Sequence, residues 1–411
     1  MTLPPLTAVA DALAQILSDA AAPGEIETVP LRAAAGRVLA RDLAALRTQP
    51  PCDVSAMDGY AVRAADLAAV PADLAVLGES AAGRAFAGAV TAGGAARIFT
   101  GAPVPPGADT VVIQENTAAA PGRVTVLQAE PPGRHIRRAG QDFREGEPLL
   151  AAGRRLGAGD LALAAAMNHA ALPVFRRPRV AVLATGDELV APGAVPGPGQ
   201  IVASNSYALM ALAETAGAQV LDLGIASDDL GALAAAIGGA RTGGADLLVT
   251  LGGASVGDHD LVQRALLAEG MDLGFWRVAM RPGKPLMHGR LGALRVLGLP
   301  GNPVSAIVCG LLFAVPLVRA LAGDRAAGED VSEAAVLAGP LPANDARQDY
   351  LRSRLLPDEG GLVRVEPGPR QDSSLLKALS EADCLVIRPP HAPQAAAGDP
   401  CRILRLARLG A

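Results

Sequence analysis

Residues 179–305 constrain the fold more than any other part of the chain. Apolar runs of strand length alternate there with runs of helix length, and glycine-rich loops lie at the junctions. Residues 180–184, 220–224, 247–251 and 294–299 read as strands, each an apolar run bounded by turn residues. Residues 204–216 and 228–241 read as helices, the first stopped by Gly217. Pro300-Gly301-Asn302-Pro303 then leads into a long helix, with Asn302 as its N-cap and Pro303 at its first position. Strands alternating with helices mean βαβ units and a mostly parallel, doubly wound sheet. Ligands of such sheets gather at the carboxyl ends of the strands, and the loops after residues 184, 251 and 299 all fall there.

The flanking segments have other textures, and 411 residues exceed one ordinary core, so two to four domains are expected. Residues 7–22 read as an amphipathic helix, with Val9, Leu13, Ile16 and Leu17 at helical spacing and Pro23-Gly24 as its end. From Cys52 to about Asp142 short β-like runs, at 96–99, 110–113 and 124–127, are broken by Gly and Pro. Residues 157–171 return to helix, with Asp160 as N-cap. After a linker at 323–333, runs at 350–356, 362–366 and 384–388 read as strands of a separate C-terminal β-domain.

Composition removes several function classes. Aromatic residues are 2% of the chain and the net charge is −5, which leaves neither a stacking platform for bases nor a general attraction to nucleic acid or anionic lipid. The longest apolar stretch, residues 306–321, is shorter than a membrane span and carries Pro316. No secretory pattern opens the chain. Cys52, Cys309, Cys384 and Cys401 have no close pairing and no His at zinc spacing, so reduced thiols in the cytoplasm are expected. An anionic ligand must be held by a local cluster of cations and amides.

Two loops of the sheet region are acidic. Thr185-Gly186-Asp187-Glu188-Leu189 and the loop from Gly252, Gly253 and Ser255 to Asp260 put carboxylates and backbone amides at neighbouring strand ends. Such oxygen ligands suit Mg²⁺ bridging a phosphate, with Glu188 and Asp260 as its ligands, since Mg²⁺ takes one or two carboxylates and keeps waters. Taken alone, either loop serves equally as a tight turn capping a helix. Arg281-Pro282-Gly283-Lys284-Pro285 adds two cations on a stiff turn, which alone also describes a solvated hairpin. Pro300 to Ser305 place Asn302, Ser305 and the amides of a helix N-terminus at a strand end, a ready anion site. No P-loop and no nucleophile elbow occurs.

Taken in order, Ser55-Ala56-Met57-Asp58-Gly59-Tyr60-Ala61, Phe99-Thr100-Gly101-Ala102-Pro103, Ile136-Arg137-Arg138-Ala139-Gly140-Gln141-Asp142, Thr185 to Leu189, Gly252 to Asp260, Arg281 to Pro285 and Pro300 to Ser305 resemble the motif set of the MoeA family, whose module also forms the C-terminal domain of gephyrin. The resemblance spans nearly the whole chain. It implies a multidomain α/β subunit: an elongated helical segment (1–50 plus 143–178), an inserted β-rich module (51–142), a doubly wound molybdopterin-binding α/β domain (179–325) and a C-terminal β-barrel (332–411). It implies a molybdenumtransferase that inserts molybdate into adenylyl-molybdopterin and releases AMP, with transient contact to the adenylyltransferase that supplies the substrate. It also implies a homodimer whose active site lies between the α/β domain of one subunit and the β-module of the other. Carried over by position, the functional residues are Asp58, Thr100, Arg137, Asp142, Glu188, Asp228, Asp260, Lys284, Pro300 and Pro303, with Asp229 adjoining Asp228 in a loose stretch.

The chain departs from the family pattern in two places. Arg281 stands where Lys is usual, which keeps charge but changes reach and geometry. The Gln371-Asp372-Ser373-Ser374-Leu375 stretch lacks the family's Gly-Ser-Gly, which puts Ser373 as a ligand in question. Arg347 and Arg352 flank Asp349-Tyr350 as basic residues do in the family, and rim arginines on a β-domain would look the same. Two rivals remain on sequence grounds. The adenylyltransferase of the preceding step would not need residues 1–178 or the C-terminal domain, and a scaffold would not need the acidic loops.

Overall fold

The computed structural model describes residues 6–18, 20–22, 24–252, 261–357 and 361–410. Its centre is an α/β domain built from β1 (Arg179–Thr185), α1 (Asn205–Ala216), β2 (Gln219–Ala226), α2 (Leu230–Thr242), β3 (Leu247–Leu251), α3 (Leu261–Ala268), β4 (Asp272–Phe275), β5 (Met287–Leu291), β6 (Leu294–Leu299) and α4 (Pro303–Cys309). The strands run in the order β2-β1-β3-β6-β5-β4. All are parallel except β5, which pairs antiparallel with both neighbours. The doubly wound expectation therefore holds, with one reversed strand.

The apolar runs are continuous because both faces are covered. Val180 and Val182 of β1 pack with Leu209 and Leu212 of α1 and Val304 and Val308 of α4. Ala181 and Leu183, pointing the other way, pack with Leu233 and Ile237 of α2 and Val262 and Leu266 of α3. Each leucine so buried stabilises by roughly 1.5–3 kcal/mol. The helix begun by α4 continues through Gly310–Ala314 and Val315–Leu321 as one apolar rod. Pro316 does not break it, because the turn at Gly310–Ala314 is a wider π-turn that takes up the missing N–H and the ring. Residues Pro303–Leu321 are long and apolar enough to cross a membrane, yet 78% of that window is buried inside the protein, the environment of a core helix.

The N-terminal helix runs over Val9–Ser18, shorter than its apolar pattern, and buries Ala12 and Ile16 against this same core. The helix expected at 157–171 spans Ala158–Ala166. Gly157 holds its N-cap position, and Asp160 sits at the third helical residue with its carboxylate accepting the Gly157 N–H at 2.8 Å. Asp160 is thus the returning half of a capping box and not the cap. The residues that follow, Ala171–Phe175, pair antiparallel with Ile26–Pro30.

The β-module is one six-stranded sheet in the order Thr110–Ile113, Gly59–Val62, Gly94–Ile98, Ala72–Ser80, Arg123–Val126, Thr117–Ala120. Its second strand needs Gly59, since a Cβ there would lie 1.9 Å from the Val112 carbonyl oxygen. In the C-terminal domain Gln348–Leu356, Arg364–Pro367, Glu333–Leu337, Pro400–Arg405 and Cys384–Arg388 bond in succession. The last pairs back on the first, closing a barrel. Met280–Arg281, from the α/β domain, adds parallel to Gln348 and Asp349 at its edge. All four cysteines are free thiols.

Candidate active site

The loops after β1, β3 and β6 converge as the sheet rule predicts. Between them lies a cavity of about 760 Å³ lined by Glu188, Asp228, Gly252, Asn205, Pro300 and Asn302, with Pro303, Pro285 and Ser374 at its walls. Gly252 has φ +99°, and a Cβ there would meet the Thr185 carbonyl oxygen at 2.7 Å, so only glycine lets the loops after β1 and β3 close together. A Cβ on Gly301 would meet the Gly252 Cα at 3.8 Å, so the third loop lies alongside. Gly253, Ser255 and Asp260 lie outside the described residues.

The acidic side of the cavity is Glu188 and Asp228, with Asp187 bonded to the Asp228 backbone. Asp187 accepts the Asp228 N–H at 3.1 Å. Partial burial first, then the charges of Asp187 and Glu188, push the Asp228 carboxyl above its usual range. The neighbouring Asp229 is the N-cap of α2, accepting the Gly231 and Ala232 amides at 2.9 Å each. That settles which of the two aspartates is left for the cavity. Among the described residues none of Asp187, Glu188 and Asp228 forms an ion pair, and no three acidic, His or Cys side chains form a metal cage by themselves.

On the opposite wall the sequence reading needs correction. Asn302 occupies the N-cap position of α4, but its side chain makes no capping bond; Nδ2 donates to Ser373 Oγ at 3.0 Å. The helix offers fewer free amides than expected. Pro303 has no N–H, and Val304 donates to the Ser373 carbonyl at 3.0 Å. Ser305 is 5% exposed and does not line the cavity. The turn itself is fixed by Asn205, which the sequence reading missed: its Nδ2 donates to the Gly301 carbonyl at 2.7 Å. The signal was there, an Asn opening a helix just past a glycine-rich loop.

Arg281 and Lys284 separate in role. The Arg281 guanidinium donates to Asp345 at 2.6 Å and lies 3.8 Å from Asp349, both on the barrel side. Lys284 is half-buried, not the solvent-facing residue its turn implied, and among the described residues its ammonium has no hydrogen-bond or ion-pair partner. Arg347 also bonds Asp345, at 2.6 and 3.1 Å. Arg352 is no rim residue: it is 2% exposed and donates to the Asp372 carbonyl at 3.1 Å, bracing the segment that carries Ser373 and Ser374.

The remaining motif residues sit on the β-module. Asp58 Oδ1 accepts the Thr100 N–H at 2.7 Å and the Thr100 hydroxyl at 2.8 Å. Those two bonds, the amide first, hold the Asp58 carboxyl below its usual range. Arg137 and Asp142 line a second cavity, of about 600 Å³, together with Arg47, Gln49 and Cys52. Asp53 pins that loop by accepting the Ala139 N–H at 2.9 Å and an Arg138 N–H at 2.5 Å. No residue lines both cavities.

Comparison with known proteins agrees with this architecture. Residues 7–168 match the model of the MoeA N-terminal region (domain I and II), 181–320 that of a probable molybdopterin binding domain, and 334–406 that of the MoeA C-terminal region (domain IV). The chain is 37% identical over 372 residues to a molybdopterin molybdenumtransferase of Nostoc sp., covering 89% of this chain and 85% of that one. It is 34% identical over 378 residues to one of Haemophilus influenzae, covering 92% and 93%. A crystal structure of the molybdopterin biosynthesis MoeA protein from Pyrococcus horikoshii superposes with a TM-score of 0.84 at 28% identity, over 97% of this chain and 99% of that one. With the three family regions in order and relatives at this identity along nearly its full length, the chain belongs to the MoeA family of molybdopterin molybdenumtransferases.

Proposed function

We propose that this protein is a Mg²⁺-dependent molybdenumtransferase that inserts molybdate into adenylyl-molybdopterin and releases AMP. The observation that carries the reading is the cavity between β1, β3 and β6, which sets the carboxylates of Glu188 and Asp228 on one wall against the polar Pro300–Pro303 turn on the other. Adenylyl-molybdopterin has matching ends, a pyrophosphate link to AMP and an ene-dithiolate. Lys284, with its charge unspent on any described partner, binds oxyanion oxygens near the Pro300–Pro303 turn. Asn205 holds that turn in shape, and Gly252 lets the backbone come close to a phosphate. Asn302 and the barrel's Ser373 and Ser374 close the far wall.

The donor set fits Mg²⁺. Asp187, Glu188 and Asp228 crowd together without a cation among the described residues, and like charges so placed favour a hard divalent ion. Glu188 and Asp260 would hold it, and when bound it supplies charge neutralisation at the pyrophosphate. Asp228 lines the same cavity as Glu188 and would serve as a water-positioning group.

Asp58, Thr100, Arg137 and Asp142 complete the site from the partner subunit of a homodimer. The support is that they line or adjoin a cavity sharing no residue with the first. Transient contact with the adenylyltransferase would hand over a labile substrate without release. The free thiols and the dithiolate substrate fit a reducing cytoplasm. The deciding experiment is incubation with adenylyl-molybdopterin, Mg²⁺ and molybdate, measuring AMP and the activation of an apo-molybdoenzyme. Absence of both products with a fully folded dimer refutes the reading.

A further inference from the structure

Arg97 lies on the strand Gly94–Ile98, directly across from Tyr60 on Gly59–Val62. Its guanidinium carbon is 5.1 Å from the centroid of the Tyr60 ring and 4.9 Å from that of Phe99. In a chain where aromatics are 2%, two of them on one guanidinium mark a built arrangement. One amino group donates to the Gly59 carbonyl at 3.2 Å and the other to Gln114 Oε1 at 2.8 Å. The Gln114 N–H in turn donates to the Asp58 carbonyl at 3.0 Å. A single planar fork therefore spans from the residue after Asp58 to the residue that holds the Asp58 backbone.

Strand pairing does not need this fork. Gly59–Val62 is laddered on both sides, to Gly94–Ile98 and to Thr110–Ile113, with four paired positions each. What Arg97 adds is concentrated at the strand's first residue, next to Asp58. It forms no ion pair among the described residues, so its charge stays available to the Asp58 carboxylate. The Asp58 side chain is already half committed, with Oδ1 accepting two bonds from Thr100.

We infer that Arg97 is a positioning residue for the reaction, holding the Asp58–Thr100 pair in its working orientation through Gly59 and Gln114. The inference rests on the reading of Asp58 as a site residue given above. Arginine is required because one head group must meet two acceptors while lying over two rings, which a lysine ammonium does not do.

The test uses the full-length protein with ¹³C-labelled aspartate carboxyls, the Asp58 resonance being assigned by its loss in Asp58→Asn. Arg97→Gln is expected to raise the Asp58 titration midpoint, and Arg97→Lys to raise it less. AMP release by Arg97→Gln is expected to fall between about 10- and 100-fold in kcat, with KM within about twofold, as misplacement of a catalytic group does. An unmoved Asp58 midpoint in folded Arg97→Gln overturns the inference, as does wild-type kcat. If Arg97→Gln does not fold, Arg97→Lys carries the same two readouts. Failure of the wild-type protein to release AMP would refute the transferase reading instead, while the Asp58 titration would still decide whether Arg97 acts on it.

Discussion

Asp228 and Asp229 adjoin in sequence and divide two jobs: Asp229 caps α2 through the Gly231 and Ala232 amides, while Asp228 lines the cavity beside Glu188. The division predicts opposite phenotypes. Asp229→Ala should cost about 0.5–2 kcal/mol of stability by loss of the cap, read in denaturant unfolding, with turnover reduced only in proportion to the folded fraction. Asp228→Asn should keep stability and lose turnover. AMP release at the wild-type level in Asp228→Asn would remove it from the site.

The crowding of Asp187, Glu188 and Asp228 also sets a pH dependence. The Asp228 pKa is raised in the folded protein above its ordinary value of 3.8, so the native state binds that proton more tightly than the unfolded chain does. Stability therefore falls as pH rises from that ordinary value through the raised one. Across this window the melting temperature of wild type should fall relative to that of Asp228→Asn. Above the window, millimolar Mg²⁺ should raise the melting temperature of wild type more than that of Glu188→Gln. Equal responses of the two proteins to Mg²⁺ would exclude Glu188 as a ligand.

Glu188→Gln and Asp260→Asn each remove charge without volume. Both should abolish AMP release, and the exposed Glu188→Gln should unfold within about 0.5 kcal/mol of wild type, as surface substitutions do. Turnover by either variant at the wild-type rate in low Mg²⁺ would dismiss the metal role.

Much of this site was legible in the sequence because its strands are apolar along their whole length. Six of the seven residues of β1 and all five of β3 are buried, so the run itself marks the strand and its end marks the loop. β5 was illegible for the complementary reason: Met287-His288-Gly289-Arg290-Leu291 carries His, Gly and Arg, and only its place between β6 and β4 makes it a strand. The same limit applies to partners. Nothing local tells that Asn302 spends its amide on Ser373, seventy-one residues away, or that Arg281 turns to Asp345. Capping by Asp229 was within reach, because an Asp two and three residues before free helix amides is a local pattern.

Lys284 should answer to ligand and not to folding. Lys284 is half-buried and its ammonium has no partner among the described residues, so Lys284→Met removes a charge without orphaning another group. Molybdate and adenylyl-molybdopterin affinities, measured by calorimetric titration, should fall by about tenfold or more, the scale of one charge-assisted hydrogen bond of about 1.5–3 kcal/mol. Arg281→Met, by contrast, should weaken the junction with the barrel through Asp345. Unchanged affinity in Lys284→Met for both ligands would make its loop a plain turn.

The last prediction concerns the two cavities. One holds Glu188, Asp228 and the Pro300–Pro303 turn, the other Arg137 and Asp142, with Asp58 and Thr100 on the same module, and no residue belongs to both. Within one chain each cavity is chemically partial: the first has carboxylates and a polar turn, the second an arginine pair and one aspartate. A two-fold dimer can bring the first cavity of each subunit against the second of its partner, making two equivalent clefts. Complementation reads this directly. Asp58→Asn and Asp260→Asn homodimers should each be inactive, since every cleft lacks one carboxylate. In a purified mixed heterodimer one cleft receives both substitutions and the other neither, so AMP release should return to about half of wild type. A site built within a single chain gives a different answer, because each subunit would carry its own defect and the heterodimer would stay inactive. Subunit exchange, checked by differently tagged chains, separates that outcome from a failure to mix.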